Sequence, residues 1–221
     1  MSLAPVDYDF GIPANYAFVE NITCSNDEAK KMYVEAFGHM LNYNHEQAIA
    51  CFTKCAELDP NCAMAWWGIA YCLSSSYNWS AGLGPGYDAI SQAVSLKDHC
   101  SELEQDLIMA LSKRHTKEAR DNANPAALNM GNSPELNQAF AEAMAPLYEK
   151  YSGNLDVTAI YVEALMNLNP WTLWNKDTAS GEITPVDDST LMLIKIMEDA
   201  FENVPGAKEH PALCHLYCHA L

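Results

Sequence analysis

Histidine and cysteine residues are concentrated near the end of the chain, in the stretch His-Pro-Ala-Leu-Cys-His-Leu-Tyr-Cys-His from His210 to His219. A helix would place His215 and His219, which are one turn apart, on the same face, where both imidazoles can reach one ion. His210 precedes Pro211, a residue suited to the first position of a helix, and can reach the same region. Glu163, on an earlier predicted helix, could add a carboxylate. The three histidines and Glu163 together offer ligands to a divalent transition metal such as zinc, iron or copper, and leave a position for water.

The spacing of these histidines also allows a purely structural role. The glutamate of a His-Glu-x-x-His zinc motif is missing, so the histidines could instead be polar residues on a packed helix surface, hydrogen bonded to backbone or to Glu163. Haem attachment is disfavoured because Cys214 and Cys218 have the wrong spacing, and both are expected to pack as small core residues. No nucleotide loop, nucleophile elbow or paired-carboxylate signature is present, so no catalytic residue is assigned and enzymatic activity stays open.

A second group of candidate residues lies in insertions between predicted helices. The segments 76–85, 116–132 and 169–187 each fall between the two helices of a predicted pair, and insertions at equivalent turns of a solenoid emerge along one edge. Aromatic residues in these segments either cap helix ends or roof a binding pocket. The pocket hypothesis assigns ligand binding to Asn78, Trp79, Trp171, Trp174 and Asn175.

The apolar residues that must position these groups recur with helical spacing. They predict an all-α chain without a sheet, with helices near 27–42, 45–58, 62–75, 86–97, 101–115, 134–150, 155–168, 189–203 and 211–221. Residues 1–26 contain prolines and glycine without this spacing and are expected to form an extended N-terminal arm. Residues 27–221 are expected to form one helical repeat domain.

The first two helix pairs carry a repeat signature. Trp66 follows Met32 by one 34-residue period. Tetratricopeptide repeats have a small, a large and a small residue, then proline, then Trp-Leu-Gly. Residues of the second and third predicted helices resemble this order: Ala48, Phe52, Cys55, Pro60, Trp66, Ile69 and Ala70. The resemblance implies a right-handed α-solenoid of about four and a half antiparallel helix pairs. Phe52, Trp66, Ile69 and Ala70 are expected to be buried between the first two pairs.

Nearly the whole chain resembles a family of longer, largely uncharacterised tetratricopeptide proteins of bacterial type. The matching stretches are 44–48, 58–68, 163–168 with Pro170-Trp171, and His210-Pro211 leading to His215 and His219. Cys214 and Cys218 depart from the family pattern, which has aliphatic or aromatic residues there. The resemblance implies a fold and no reaction. Because family members continue beyond the third histidine, it also implies truncation at the C-terminus, and the unpaired last helix is expected to support self-association.

Charge and composition limit the classes of partner. The formal net charge is −17, which opposes binding to nucleic acid and to anionic membranes. No long apolar run or secretory signal is present, and the eight cysteines fit a reduced, cytoplasmic protein. The sequence predicts a scaffold that binds a protein or peptide on a concave face. The alternative is a metal-dependent enzyme or sensor with its histidine site between the fourth and fifth helix pairs.

Overall fold

The computed structural model describes residues 21–74, 76–78, 86–121 and 133–221, which are mostly helical. They divide into two compact units. Unit 1 contains residues 21–74 and 86–121, and unit 2 contains residues 76–78 and 133–221. The predicted helices 101–115 and 134–150, which form the third predicted pair, belong to different units in this division. None of the helices in these ranges is both long and apolar enough to cross a membrane.

Unit 1 consists of helices whose starts follow local capping signals. Asn26 accepts a hydrogen bond from the Ala29 amide at 2.8 Å, and Ser101 and Glu104 form a reciprocal capping box. The helices are α1 Asp27–Leu41, α2 His45–Leu58, α3 Ala63–Cys72, α4 Gly86–Leu96 with a 3-10 turn at Lys97–His99, α5 Glu102–Ser112 and the short α6 Lys117–Asp121. The five longer helices confirm the predicted ones, whereas α6 was not expected.

The N-terminal arm predicted over residues 1–26 is described only from residue 21. Residues 21–26 contain no helix. Thr23 binds the carboxylate of Glu104 twice, through its amide at 2.8 Å and its hydroxyl at 2.6 Å. These bonds attach the end of the arm to the start of α5. Residues 1–20 lie outside the described part of the chain.

The two adjacent tryptophans of α3 have opposite environments. Trp67 is fully buried, and its indole N–H donates to the Leu107 carbonyl at 3.1 Å. Trp66, which was predicted to be buried, is partly exposed and donates to the Pro60 carbonyl at 3.3 Å. Every other α3 residue is buried, so the helix has no polar face from which the sequence could indicate the core side. The burial predicted for Phe52, Ile69 and Ala70 is confirmed.

Unit 2 combines helices with a small hairpin. Its elements are α7 Pro134–Lys150, α8 Leu155–Met166, β1 Trp174–Lys176, β2 Ile183–Pro185, α9 Asp188–Asn203, a 3-10 turn at Ala207–Glu209 and α10 Pro211–Ala220. The helices confirm those predicted, but the prediction of no sheet is wrong. β1 and β2 pair antiparallel within the insertion 169–187. The turn between them depends on the Asp177 carboxylate, which accepts amides of Ala179 and Ser180 at 2.7 and 2.8 Å. Apolar periodicity does not detect such a turn.

Helix α8 forms the centre of unit 2. All its residues after Leu155 are buried, and it contacts α7, α9 and α10. Consequently, Glu163 on α8 is a carboxylate in the interior of the unit, with 5% of its surface exposed.

Candidate metal centre

Helix α10 is held firmly at both ends. His210 caps its start by accepting the Leu213 amide at 3.2 Å, and Pro211 occupies the first turn. At the other end, the Trp174 indole donates to the Ala220 carbonyl at 2.8 Å. One face of the helix is buried within unit 2, through Ala212, Leu213, Leu216 and Ala220. The histidines on the remaining faces therefore have defined positions.

His215 and His219 form a close pair on α10. Their Nε2 atoms are 3.2 Å apart, and the ring centroids are 4.8 Å apart at an interplanar angle of 67°. Both side chains are half-buried. The structure thus brings together the two histidines whose helical spacing indicated a shared face, with one nitrogen of each ring directed at the other.

Asn78 joins this pair from a distant part of the sequence. Its side-chain amide lies 2.8 Å from His215 Nε2, across a separation of 137 residues. The nitrogen and oxygen of an asparagine amide are assigned from the hydrogen-bond network, so a rotated amide would present Oδ1 at the same place. Three polar side chains therefore converge on one point. Trp79, the next predicted pocket residue, lies outside the described residues.

Aromatic rings form walls around His219. Tyr77 stacks on Trp171 with centroids 5.2 Å apart, and these rings lie 5.2 and 5.4 Å from the His219 imidazole. Tyr77 is buried, whereas Trp171 is 65% exposed and marks the solvent side. Trp171 also has a positive φ of 61°, which costs a non-glycine residue about 1–2 kcal/mol. Such strain persists only where the surrounding structure imposes it.

The insertion that carries Trp171 is anchored by Leu173. Leu173 is buried, and its carbonyl accepts the Val186 amide at 2.9 Å and the Thr190 hydroxyl at 3.1 Å. Of the other predicted pocket residues in this insertion, Trp174 is engaged at the end of α10 and Asn175 is exposed on β1. The aromatic contacts with His219 are thus made by Trp171 and by Tyr77, which was not among the predicted pocket residues.

Electrostatics favour a neutral His215. Burial lowers its pKa below the usual 6.5, and the neighbouring His219 lowers it further, while the charge of Glu163 opposes both effects. Glu163 is therefore close enough to interact with the imidazole. A neutral imidazole has the lone pair that a metal ion requires.

His210 belongs to a different interaction, which corrects its predicted place beside the other two histidines. Its Nε2 is 3.1 Å from Asp156 Oδ1, and both side chains are buried. Since Nδ1 accepts the Leu213 amide, both ring nitrogens serve to hold the start of α10. The expectation for the cysteines also needs correction. Cys214 is half-buried and donates to the Lys208 carbonyl, but Cys218 is exposed.

A second cluster of ligand-type atoms lies in unit 1. The Sγ atoms of Cys24, Cys55 and Cys62 all lie within 4.8 Å of one another. Within the described ranges this is the one group of three such side chains at that separation, so Glu163 does not lie within 4.8 Å of both histidine nitrogens while they face each other. The cysteine spacings follow no local motif, and the sequence alone indicated only reduced thiols.

Comparison with known proteins adds no relative. No family model, no curated protein and no solved structure matches the chain. The similarity to longer tetratricopeptide proteins therefore stays a prediction, and functional inference depends on the geometry of the sites.

Proposed function

We propose that unit 2 is a metal-dependent enzyme or sensor module that binds a divalent transition metal through His215 and His219. The observation that carries this proposal is the 3.2 Å separation of their Nε2 atoms. Zinc–imidazole bonds are about 2.0–2.1 Å long, so two nitrogens 3.2 Å apart subtend about 103° at a shared ion, close to a tetrahedral angle. The separation of the two nitrogens therefore already matches that of two ligands on one ion.

Neighbouring groups supply further ligands and leave room for a substrate. The Asn78 amide already points at His215 Nε2, and its oxygen is a suitable third ligand. Glu163 supplies negative charge near His215 from the interior of α8. A metal ion with fewer than four protein ligands keeps a coordination position that water occupies. Lewis-acid chemistry and reversible sensing both require such an exchangeable position. Tyr77 and Trp171 would form apolar walls beside that position.

Equilibrium dialysis of metal-free protein against Zn²⁺ tests the proposal. To disrupt the cysteine cluster of unit 1, the parent protein carries Cys24→Ser. We expect one ion per chain, lost in His215→Ala and in His219→Ala but retained in His99→Ala. His99 is an exposed histidine of unit 1 and provides the matched control. Equal zinc content in all four proteins would refute the proposed ligands.

Copper provides a readout of position as well as of binding. Cu²⁺ at His219 would lie beside the Trp171 ring, whose centroid is 5.4 Å from the imidazole, and should quench its fluorescence. We expect the quenched fraction to fall in Trp171→Phe although copper still binds. Quenching that is unchanged in Trp171→Phe would place the ion elsewhere.

A scaffold function is the second candidate, and helix contacts support it. In unit 1, α3 contacts both α1 and α5, and in unit 2, α8 contacts α10. Contacts between first helices of successive pairs are expected in the predicted tetratricopeptide-like, right-handed solenoid of about four and a half repeats, and they support this second proposal. Such a scaffold would take a protein or peptide ligand in the cytoplasm, with no nucleic acid or membrane partner, and self-association through α10 stays a further prediction.

Exposed apolar residues give the scaffold hypothesis a testable surface. Leu191 and Met192 on α9 are 52% and 45% exposed. We expect Leu191→Asp combined with Met192→Asp to abolish binding to helical peptides on an array, while Lys208→Ala leaves it intact. An array on which the wild type and the double variant retain the same peptides would contradict this role for α9.

A further inference from the structure

Three cysteines from separate segments meet in unit 1. Cys55 lies in the last turn of α2, Cys62 immediately precedes α3, and Cys24 precedes α1. Their sulfur atoms are all within 4.8 Å of one another, and none is in a disulfide. Cys55 and Cys62 are buried, whereas Cys24 is half-buried, so one edge of the cluster is open to solvent.

Polar contacts of neighbouring residues position this cluster. The Asp59 carboxylate accepts the Ser25 amide at 2.6 Å and the Asn61 amide at 3.1 Å. The Asn26 side chain donates to the Leu58 carbonyl at 3.2 Å. These bonds fasten the segment before α1 to the turn between α2 and α3. The three sulfurs are therefore held near one another in advance of any ligand, as a metal site requires.

We propose that Cys24, Cys55 and Cys62 form a second metal site, independent of the histidine pair, which binds zinc through three thiolates. Thiolates are the preferred ligands of zinc and of other thiophilic ions. Zinc–sulfur bonds of about 2.3 Å in a tetrahedral site separate the sulfurs by about 3.8 Å. The cluster reaches that separation by a contraction of no more than about 1 Å, which rotation of the cysteine side chains can supply.

Asp59 and Cys24 indicate how the site is completed and filled. The Cys24 thiol donates to the Asn26 carbonyl at 3.6 Å. Asp59 lies in the turn between Cys55 and Cys62 and accepts the amide of Ser25, the residue after Cys24, so its carboxylate is a candidate oxygen donor for a fourth position. Half-burial of Cys24 gives an ion a path to the two buried sulfurs. The resulting set of three sulfurs and one oxygen, from Asp59 or water, is one that zinc accepts.

The protonation of the thiols disfavours a reactive cysteine. Burial raises the pKa of Cys24 to about 11. The hydrogen bond with Cys55, followed by burial, raises the pKa of Cys62. A thiol that stays protonated at neutral pH is a poor nucleophile. Zinc binding would instead displace these protons into the buffer.

Cobalt and zinc titrations of the reduced protein test the proposal. The parent carries His215→Ala, so that failure of the histidine site does not affect the result. We expect one Co²⁺ per chain with a thiolate-to-cobalt absorption band that Zn²⁺ abolishes by displacement. Loss of a residue that only hydrogen bonds to a metal ligand weakens metal binding by roughly 10- to 100-fold. Loss of a ligand itself, in Cys24→Ser or Cys62→Ser, should weaken zinc binding by at least as much.

Cys72→Ala is the matched control, since Cys72 is a buried cysteine of unit 1 outside the cluster. It should leave the cobalt band and the zinc affinity unchanged. Cys24 lies outside any helix, so Cys24→Ser tests the site even if Cys62→Ser does not fold. The proposal is overturned if the band is missing at saturating Co²⁺, or if it is as strong in Cys24→Ser as in the parent.

Discussion

Replacement of each α3 tryptophan by alanine tests the packing of unit 1. The two residues are adjacent in sequence but differ in burial. Trp67 is inaccessible to solvent, stacks on Tyr71 with centroids 5.2 Å apart, and donates a hydrogen bond to Leu107 of α5. Trp66 is partly exposed and donates to the nearby Pro60 carbonyl. The pair provides a matched comparison on one helix.

The expected costs differ because burial differs. Truncation of a fully buried tryptophan costs about 3–5 kcal/mol. Loss of the hydrogen bond to the Leu107 carbonyl adds about 0.5–1.5 kcal/mol. Domains have unfolding free energies of about 5–15 kcal/mol, so Trp67→Ala would remove much of the stability of unit 1. Trp66→Ala should cost less than half as much, since its ring already contacts solvent.

Urea unfolding followed by far-ultraviolet circular dichroism measures these costs without dependence on tryptophan fluorescence. If Trp67→Ala does not fold, Trp67→Phe supplies a milder test, because it removes the N–H donor and part of the ring. An equal or larger loss for Trp66→Ala than for Trp67→Ala would refute the assigned packing. That result would instead support the predicted repeat register, in which Trp66 is buried.

Other substitutions test separate features of the fold. Gly68→Ala should lower the free energy of urea unfolding by about 1–3 kcal/mol, because the added Cβ overlaps the Phe52 ring, and a neutral effect would contradict this contact. His210→Asn should cost about 1–3 kcal/mol by removing the buried imidazole that contacts Asp156, yet preserve zinc binding in unit 2; lost binding would show that His210 is a ligand. Burial lowers the pKa of His39 below 6.5, so the folded chain binds fewer protons than the unfolded chain. The stabilising effect of the neutral His39 on the free energy of unfolding should be fully present above pH 6.5 and should decrease as the pH falls below 6.5. The decrease should be less steep in His39→Gln, and identical pH profiles for the two proteins would argue against this effect.

Local signals explain why most helices were predictable from sequence. Asn26 and Ser101 cap helix starts through bonds to residues three positions ahead, and Pro134 and Pro211 occupy first turns. The i to i+4 spacing of the histidine pair is likewise a local property of one helix. These features depend on residues within one turn, and the sequence displays them directly.

Features that depend on distant residues were not predictable in the same way. Asn78 reaches His215 across 137 positions, and no motif connects the two. Cys24 lies close to Cys62 because Asp59, in the α2–α3 turn, binds the amide of Ser25 in the segment before α1. The apolar α3 hides which tryptophan faces the core, since periodicity needs a polar side for contrast.

X-ray absorption at the zinc edge tests the central claim most directly. The sample is zinc-loaded protein with Cys24→Ser, compared with the same protein carrying His219→Ala. We predict a first shell of nitrogen and oxygen at about 2.0–2.1 Å, with outer scattering from two imidazole rings that falls to one ring in the variant. A shell that contains no imidazole, or one that is identical in the two proteins, would contradict a metal centre at His215 and His219.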